Sequence, residues 1–459
     1  MSIANLNSSG RLPERARKAA PSHLHSVTTT GQVPEVVSAG LLCETLDGDR
    51  VEYANFDHGA SAPALATVKQ AVDVATRTYS SVHRGNGYAS KVTSAHYEAA
   101  RAEVARFVGA RDDDTVIFTR NTTDSFNLLA KALPRQAVVF VFSTEHHATL
   151  LPWPERRTVR LPVPGSLRDA EILLEDALEA VPARHRLVVL IGASNVTGEL
   201  WPVERFAEIA HEAGARVAVD AAQLAPHKAI DLEALGADYL AFSGHKLYAP
   251  YGAGVLVGRS DWLDAAQPYL AGGGATSSVT ERSTTWQRGA ARHEAGSPNV
   301  LGAVALAAAC SAFTAHRAEI EAHEDAIGHR LLTELDEIPG VTTYTLFQGE
   351  VDRLPVVTLT IDGLDSSLVS AALSLEHGIG VRDGKFCAHP FVDALLEGGP
   401  ATAVRISAGL GTTQEHVTRL VAAVRELAVD GTRHEWLHVE GQGWVPAAAP
   451  EEAAIPLPW

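Results

Sequence analysis

Three cysteines in 459 residues (Cys43, Cys310 and Cys387) are too scattered, and odd in number, to build a disulfide framework. That scarcity points to a reducing compartment. Positive charge is short as well: 38 Lys and Arg stand against 55 Asp and Glu, for a net charge of −17. Phosphate backbones are held by clustered Lys and Arg. The chain has no basic block longer than the N-terminal "RLPERARKAA", so a nucleic-acid partner is not expected. No apolar run reaches the ~18 residues of a membrane span, and the N-terminus has no secretory apolar core. The expectation is a cytoplasmic protein without membrane contact. Twenty histidines raise the question of a metal, but apart from the adjacent His146 and His147 no pair has compact zinc-ligand spacing, so none is expected. There is no internal repeat.

What is present is a large apolar fraction, 46%, in a chain too long for one ordinary core. That length suggests one large domain and a smaller one. Residues 1–40 are rich in Ser, Thr, Pro and Gly without apolar periodicity and read as a disordered arm. Helical spacing then appears in "ALATVKQAVDVATRTY" and "SAHYEAARAEVARFVGA". "TVIFTR", "AVVFVF", "RLVVLIGA", "RVAVDAA", "DYLAFSG" and "GVLVG" read as strands, with helices such as "PVERFAEIAHEAGA" between several of them. Strands this apolar, alternating with helices, imply a mostly parallel sheet covered on both faces, an α/β domain over 61–299. After residue 299 comes a long helical stretch, "NVLGAVALAAACSAFTAHRAEIEAHEDAIGHRLLTEL", and then shorter strands and helices. Residues 300–430, with 41–60, are assigned to a smaller α+β domain, and 431–459 to a Pro- and Ala-rich tail with three tryptophans.

The stretch "AFSGHKLYAPYGAGVLVG" places Lys246 between apolar runs. A lysine there is either a snorkelling surface residue or an amine made reactive by desolvation. Ligands of parallel sheets bind at the carboxyl ends of the strands. Collecting the residues there gives Arg120, Asn121, Thr122 and Thr123; Glu145, His146 and His147; Ser194 and Asn195; Asp220 and Gln223; and Ser243, Gly244, His245 and Lys246. Each alone has a plain reading: Asp220 a turn cap, His146 a core histidine, Thr123 a helix cap. Together they match the needs of pyridoxal phosphate, which takes a lysine for its Schiff base and a carboxylate at its ring nitrogen. A helix N-terminus with hydroxyls suits the phosphate.

The stretches "SVHRGNGYAS", "VIFTRNTTDSFNLLA", "EHHATLLPW", "GASNVTGEL", "VDAAQLAPHKAIDLEALGADYLAFSGHKLYAPYGAGVLVG", "RHEAGSPNVLGA" and "VRDGKFCAHPF" resemble the class V aminotransferase family, in its cysteine desulfurase and selenocysteine lyase branch. The resemblance spans roughly residues 54–410. It implies the fold type I architecture of pyridoxal-phosphate enzymes, with a mostly parallel seven-stranded sheet and a smaller domain. It assigns the cofactor linkage to Lys246, the ring-nitrogen partner to Asp220, stacking to His146 and the ring hydroxyl to Gln223. Asn195 lies near the ring. Thr122, Thr123, Ser243 and His245 serve the phosphate, and Thr285 (or Thr284) reaches it from a second subunit of a homodimer. The substrate falls to Arg405, His83, Arg84 and Arg382. In this branch a cysteine at the position of Cys387 attacks the sulfur of the substrate and carries it as a persulfide, for a sulfur-acceptor protein where one exists. The resemblance therefore implies L-cysteine or a cysteine conjugate as substrate. If Cys387 is a bystander, the reaction is instead that of a C–S β-lyase, an aminotransferase or an epimerase on a larger amino acid.

Overall fold

Residues 33–83, 85–448 and 457–458 are described by a computed structural model of the chain. Its central sheet has seven strands in the spatial order Asp114–Thr119, Gly254–Arg259, Tyr239–Ser243, Arg216–Asp220, Arg186–Ile191, Val138–Phe142, Thr158–Leu161. Only Gly254–Arg259 runs antiparallel to its neighbours; the other pairings are parallel. Six of these strands are the apolar runs read from sequence. The seventh, Thr158–Leu161, gives a weak signal because it is an edge strand in which only Leu161 is fully buried.

Side chains alternate across a strand, so the continuous apolar runs serve two cores at once. Phe140, Val188, Val217, Val219 and Phe242 enter one cluster, and Val139, Val141, Leu187, Val189 and Ala241 the other. The helices Ala66–Thr76, Tyr88–Phe107, Thr122–Ala132, Leu167–Ala180 and Val203–Glu212 accompany this sheet.

A second, four-stranded antiparallel sheet is ordered Val341–Tyr344, Val356–Ile361, Ala403–Ser407, Arg382–Gly384. Val404 and Ile406 join its apolar core with Leu331, Leu335, Leu420 and Val424. Arg405 and Ser407, one residue out of phase, fall on the opposite face. The long helical stretch after residue 299 is two helices, Val300–Ala315 and Arg317–Asp336, bent by 80° at His316. Among the described residues, no single helix is long and apolar enough to cross a membrane.

Of the arm read over 1–40, residues 1–32 lie outside the described residues. The rest is packed: Val36 is buried and forms a bridge with Leu65. The tail contributes a hairpin, Trp436–Val439 with Gly443–Pro446, anchored where Trp436 Nε1 donates to Glu376 at 2.9 Å; residues 449–456 and 459 are outside the description.

One glycine shows how closely strand and helix end approach each other. A Cβ on Gly254 would lie 2.6 Å from Asn121 Cα and 2.9 Å from Phe242 O. Gly254→Val should therefore separate the antiparallel strand from the first turn of Thr122–Ala132. A loss of about 1–3 kcal/mol is expected from overpacking, read as a lower urea midpoint.

Candidate active site

The carboxyl ends of the central strands open into a cavity of about 300 Å³, at the lower end of the range for ligand pockets. Its lining brings together Thr122, Thr123, His146, Asn195, Asp220, Gln223, Ser243, His245 and Lys246 from the large sheet. Arg382, Cys387 and Arg405 join them from the second sheet and its connections.

Asp220 ends its strand with Oδ1 accepting from Ala222 N–H at 2.9 Å. Burial pushes its carboxyl up, and the Ala222 N–H and Lys246 oppose that. Lys246 follows the strand Tyr239–Ser243 on a turn. Burial pulls its amine down to about 8, against the pull of Asp220 and with help from Arg405. At the head of Thr122–Ala132, Asn121 caps the helix by accepting from Asp124 N–H at 3.0 Å. Thr122 N–H donates to Ser243 Oγ at 2.8 Å, and the two hydroxyls are 2.7 Å apart. A helix N-terminus and two hydroxyls therefore meet at one corner, which suits an anion.

His146 Nδ1 accepts from Ala148 N–H at 3.0 Å, which leaves the ring proton on Nε2. Burial, with Lys246, His147 and Arg405, lowers this imidazole to about 3, so it is neutral at physiological pH. His245 is likewise lowered to about 4 by burial and Lys246. Gln223 Nε2 donates to Gly59 O at 2.7 Å.

Cys387 is exposed, on the connection between Arg382–Gly384 and the helix His389–Leu395. Phe386 and Cys387 both have left-handed backbones, with φ of 51° and 55°. For residues with a Cβ this costs on the order of 1–2 kcal/mol each. The turn is held by Asn195 Nδ2 donating to Phe386 O and by His147 N–H donating to Cys387 O, both at 2.8 Å. Arg405 NH1 donates to Asn195 O at 3.1 Å, and its guanidinium lies 5.4 Å from the Phe386 ring centre. Asn195 thus ties the thiol-bearing turn to the buried arginine.

Two buried polar atoms in this cavity's lining residues have no protein partner, Asn195 Oδ1 and Arg405 Nε. A buried polar atom without a partner is costly, so an acceptor and a donor are both left for a ligand. The lysine, carboxylate, neutral imidazole and anion corner fit pyridoxal phosphate, and Arg405 Nε fits an amino-acid carboxylate.

A model of the family described as Aminotransferase class-V matches residues 54–420. The chain belongs to the class V aminotransferase family. It is 35% identical over 375 residues to a probable cysteine desulfurase of Vibrio cholerae, covering 78% of this chain and 90% of that one. It is 34% identical to a cysteine desulfurase of Haloferax volcanii, covering 82% and 90%. Among solved structures it resembles the apo cysteine desulfurase of Thermococcus onnurineus NA1, with a TM-score of 0.74 and 32% identity, covering 82% and 95%. The cysteine desulfurase CsdA of Escherichia coli gives 0.71 and 33%, covering 81% and 94%.

Two described residues named from sequence, His83 and Thr285, are not in this class V cavity. His83 is turned to Glu98, 3.0 Å from its carboxylate, and lines a separate cavity with Tyr97 and Arg101. Thr285 lies exposed on the hairpin of Thr276–Val279 and Thr284–Trp286. Arg84 is outside the described residues. Two carboxylates have no role assigned from sequence, Glu145 and Asp57. Glu145 is wholly buried, accepting from Thr149 Oγ1 at 2.9 Å and Ile191 N–H at 2.7 Å. Burial and the charge of Asp220 push its carboxyl well above the usual range. The other, Asp57, bridges Arg382 and Arg405. Glu145 stands in the strand-end set, but its burial is not local information; Asp57 lies far from its partners in sequence.

Proposed function

We propose that this chain is a pyridoxal-phosphate-dependent cysteine desulfurase. It would convert L-cysteine to alanine and leave the sulfur on Cys387 as a persulfide. The observation that carries this reading is that Cys387 lines the same cavity as Lys246, Asp220 and Arg405. The relatives named cysteine desulfurase support it.

Bound pyridoxal phosphate supplies an electron sink for negative charge at the substrate α-carbon. Lys246 would hold the cofactor, and its Nζ, as a free amine, would carry the substrate α-proton. Asp220 holds the ring-nitrogen proton. His146, neutral with its proton on Nε2, packs as a flat uncharged surface. Thr122, Thr123, Ser243 and His245 receive the phosphate, Gln223 the ring hydroxyl, and Arg405 the substrate carboxylate. The Cys387 thiolate attacks the substrate sulfur: an S–S bond forms, the substrate Cβ–S bond breaks, and its electron pair takes up protons to give alanine. The sum is a thiol and cysteine in, a persulfide and alanine out, with no outside oxidant. Because Cys387 is exposed, a sulfur-acceptor protein can reach it. In the homodimer proposed with this reading, Thr285 serves the partner's phosphate corner.

The test is made on purified protein loaded with pyridoxal phosphate and given L-cysteine, with alanine and sulfide assayed. Cys387→Ala should reduce alanine formation by roughly 10²-fold or more, while the visible spectrum stays that of the loaded enzyme. Turnover indifferent to this change would move the reaction to C–S β-lyase, aminotransferase or epimerase chemistry.

A further inference from the structure

The turn that carries Lys246 is weakly bonded within itself. The N–H groups of Lys246 and Leu247 both reach Ser243 O only at 3.4 Å, the long end of hydrogen-bond geometry. Its position comes from outside. Ala62 N–H donates to His245 O at 2.8 Å and Leu65 N–H to Tyr248 O at 3.1 Å, so the segment 58–65 brackets Lys246 on both sides. The same segment is fastened to the strand of Arg405. His58 N–H donates to Ser407 O at 3.2 Å and Gly59 N–H to Ser407 Oγ at 2.9 Å.

Tyr248 joins these pieces through its side chain. It is buried, two residues after Lys246, and has a left-handed backbone with φ of 56°. A residue with a Cβ holds that conformation only where its surroundings fix it. The phenol oxygen accepts from Leu410 N–H at 2.7 Å and lies 3.2 Å from His58 Nδ1. Having one proton, it accepts at Leu410 and donates to His58, whose ring proton is then on Nε2. Burial, with His227 and His416, lowers this imidazole to about 4 against the pull of Asp57, so Nδ1 is a free acceptor. Burial and the charge of Glu324 push the phenol up, so it keeps its proton. Neither ring lines the cavity. Both stand behind it, between Lys246 and the loop after the strand of Arg405. We propose that Tyr248, through its hydroxyl bonds to His58 and Leu410, is a positioning residue that holds Lys246 in register with the Arg405 carboxylate seat. This rests on the reading above that Lys246 Nζ carries the substrate α-proton.

The test separates position from binding and from the sulfur step. L-Alanine has an α-proton and no sulfur, so its α-proton exchange in heavy water, followed by proton NMR on the loaded enzyme, reports Lys246 alone. Tyr248→Phe keeps the ring and removes the hydroxyl. Exchange at saturating alanine should slow roughly tenfold or more, as a misplaced proton carrier requires, while alanine affinity stays nearly unchanged. His58→Leu removes the acceptor and should do the same. His58→Asn places an acceptor where Nδ1 stood and should restore most of the rate. In the cofactor-free full chain, amide hydrogen exchange of the peptide around Lys246 should quicken in Tyr248→Phe and His58→Leu, and much less in His58→Asn. If Tyr248→Phe does not fold, the two His58 variants decide the question. An unmoved α-proton rate in folded Tyr248→Phe or His58→Leu overturns the proposal. So does an affinity loss that matches the rate loss, or a His58→Asn as slow as His58→Leu, which is what packing alone would give. A wild-type protein that exchanges no alanine proton overturns the reading of Lys246 along with this one. An active wild type with unmoved variants overturns this one alone.

Discussion

Lys246→Ala is expected to abolish covalent retention of pyridoxal phosphate and to lower turnover by roughly 10³-fold or more, the loss of both a nucleophile and a proton carrier. The argument starts from burial. Lys246 sits on a turn whose flanking residues Ser243, Leu247 and Tyr248 are buried, and it opens onto the cavity. Desolvation disfavours the ammonium form more than Asp220 restores it, so the amine is drawn down to about 8. A lysine at its ordinary value near 10.5 would hold far less free amine at neutral pH. The apoprotein should therefore load cofactor faster as pH rises through about 8, where the lone pair on Nζ is released. Borohydride reduction of the loaded protein followed by peptide mass analysis checks the site. Wild type should carry the added mass on the peptide containing Lys246, and the alanine variant on none. Retained turnover in the variant would remove Lys246 from the chemistry.

The reason this lysine was legible in sequence, and others of the site were not, lies in how far each depends on distant chain. The strand ends carry local signals. An apolar run followed by polar residues marks Asp220, Ser243 and Lys246, and a β-rich run followed at once by Asn121, Thr122 and Thr123 marks a helix start. The rule that ligands gather at the carboxyl ends of a parallel sheet then brings these positions together from sequence alone. Asp57 has no such signal. It is 348 residues from Arg405 and 325 from Arg382, and its role exists only because two arginines register opposite one another in the second sheet. The turn at Phe386 and Cys387 is equally silent, since neither residue is the glycine that a left-handed backbone favours. His316 divides one helical pattern into two helices without a proline or glycine to announce the break. His83 and Arg84 came from a resemblance rather than from a pattern in the residues. Within one chain, His83 pairs with Glu98 instead of entering the cavity.

Asp220→Asn is expected to lower turnover by about 10²–10³-fold, the usual effect of removing one preorganised electrostatic partner, while cofactor remains attached through Lys246. Two buried carboxyls stand near each other at the ends of neighbouring segments, Glu145 and Asp220, and burial raises both. Their surroundings separate them. Glu145 has two neutral donors, Thr149 Oγ1 and Ile191 N–H, and feels the negative charge of Asp220. Asp220 has the Ala222 N–H and, besides it, the positive field of Lys246. Like charges this close oppose each other's ionisation; Glu145 is pushed up further, and Asp220, which lines the cavity, is the one with Lys246 to favour its charge. Asparagine at 220 keeps the size of the side chain and an acceptor for Ala222 N–H, but it cannot hold a ring-nitrogen proton by charge. The α-carbon proton step should then become rate-limiting, seen as a larger deuterium isotope effect with α-deuterated L-cysteine. Affinity for non-reacting L-alanine should change much less than kcat. An undiminished rate in Asp220→Asn would mean that the electron sink is supported by a different residue, and Glu145, relieved of its charged neighbour and free to ionise at lower pH, would be the next to replace.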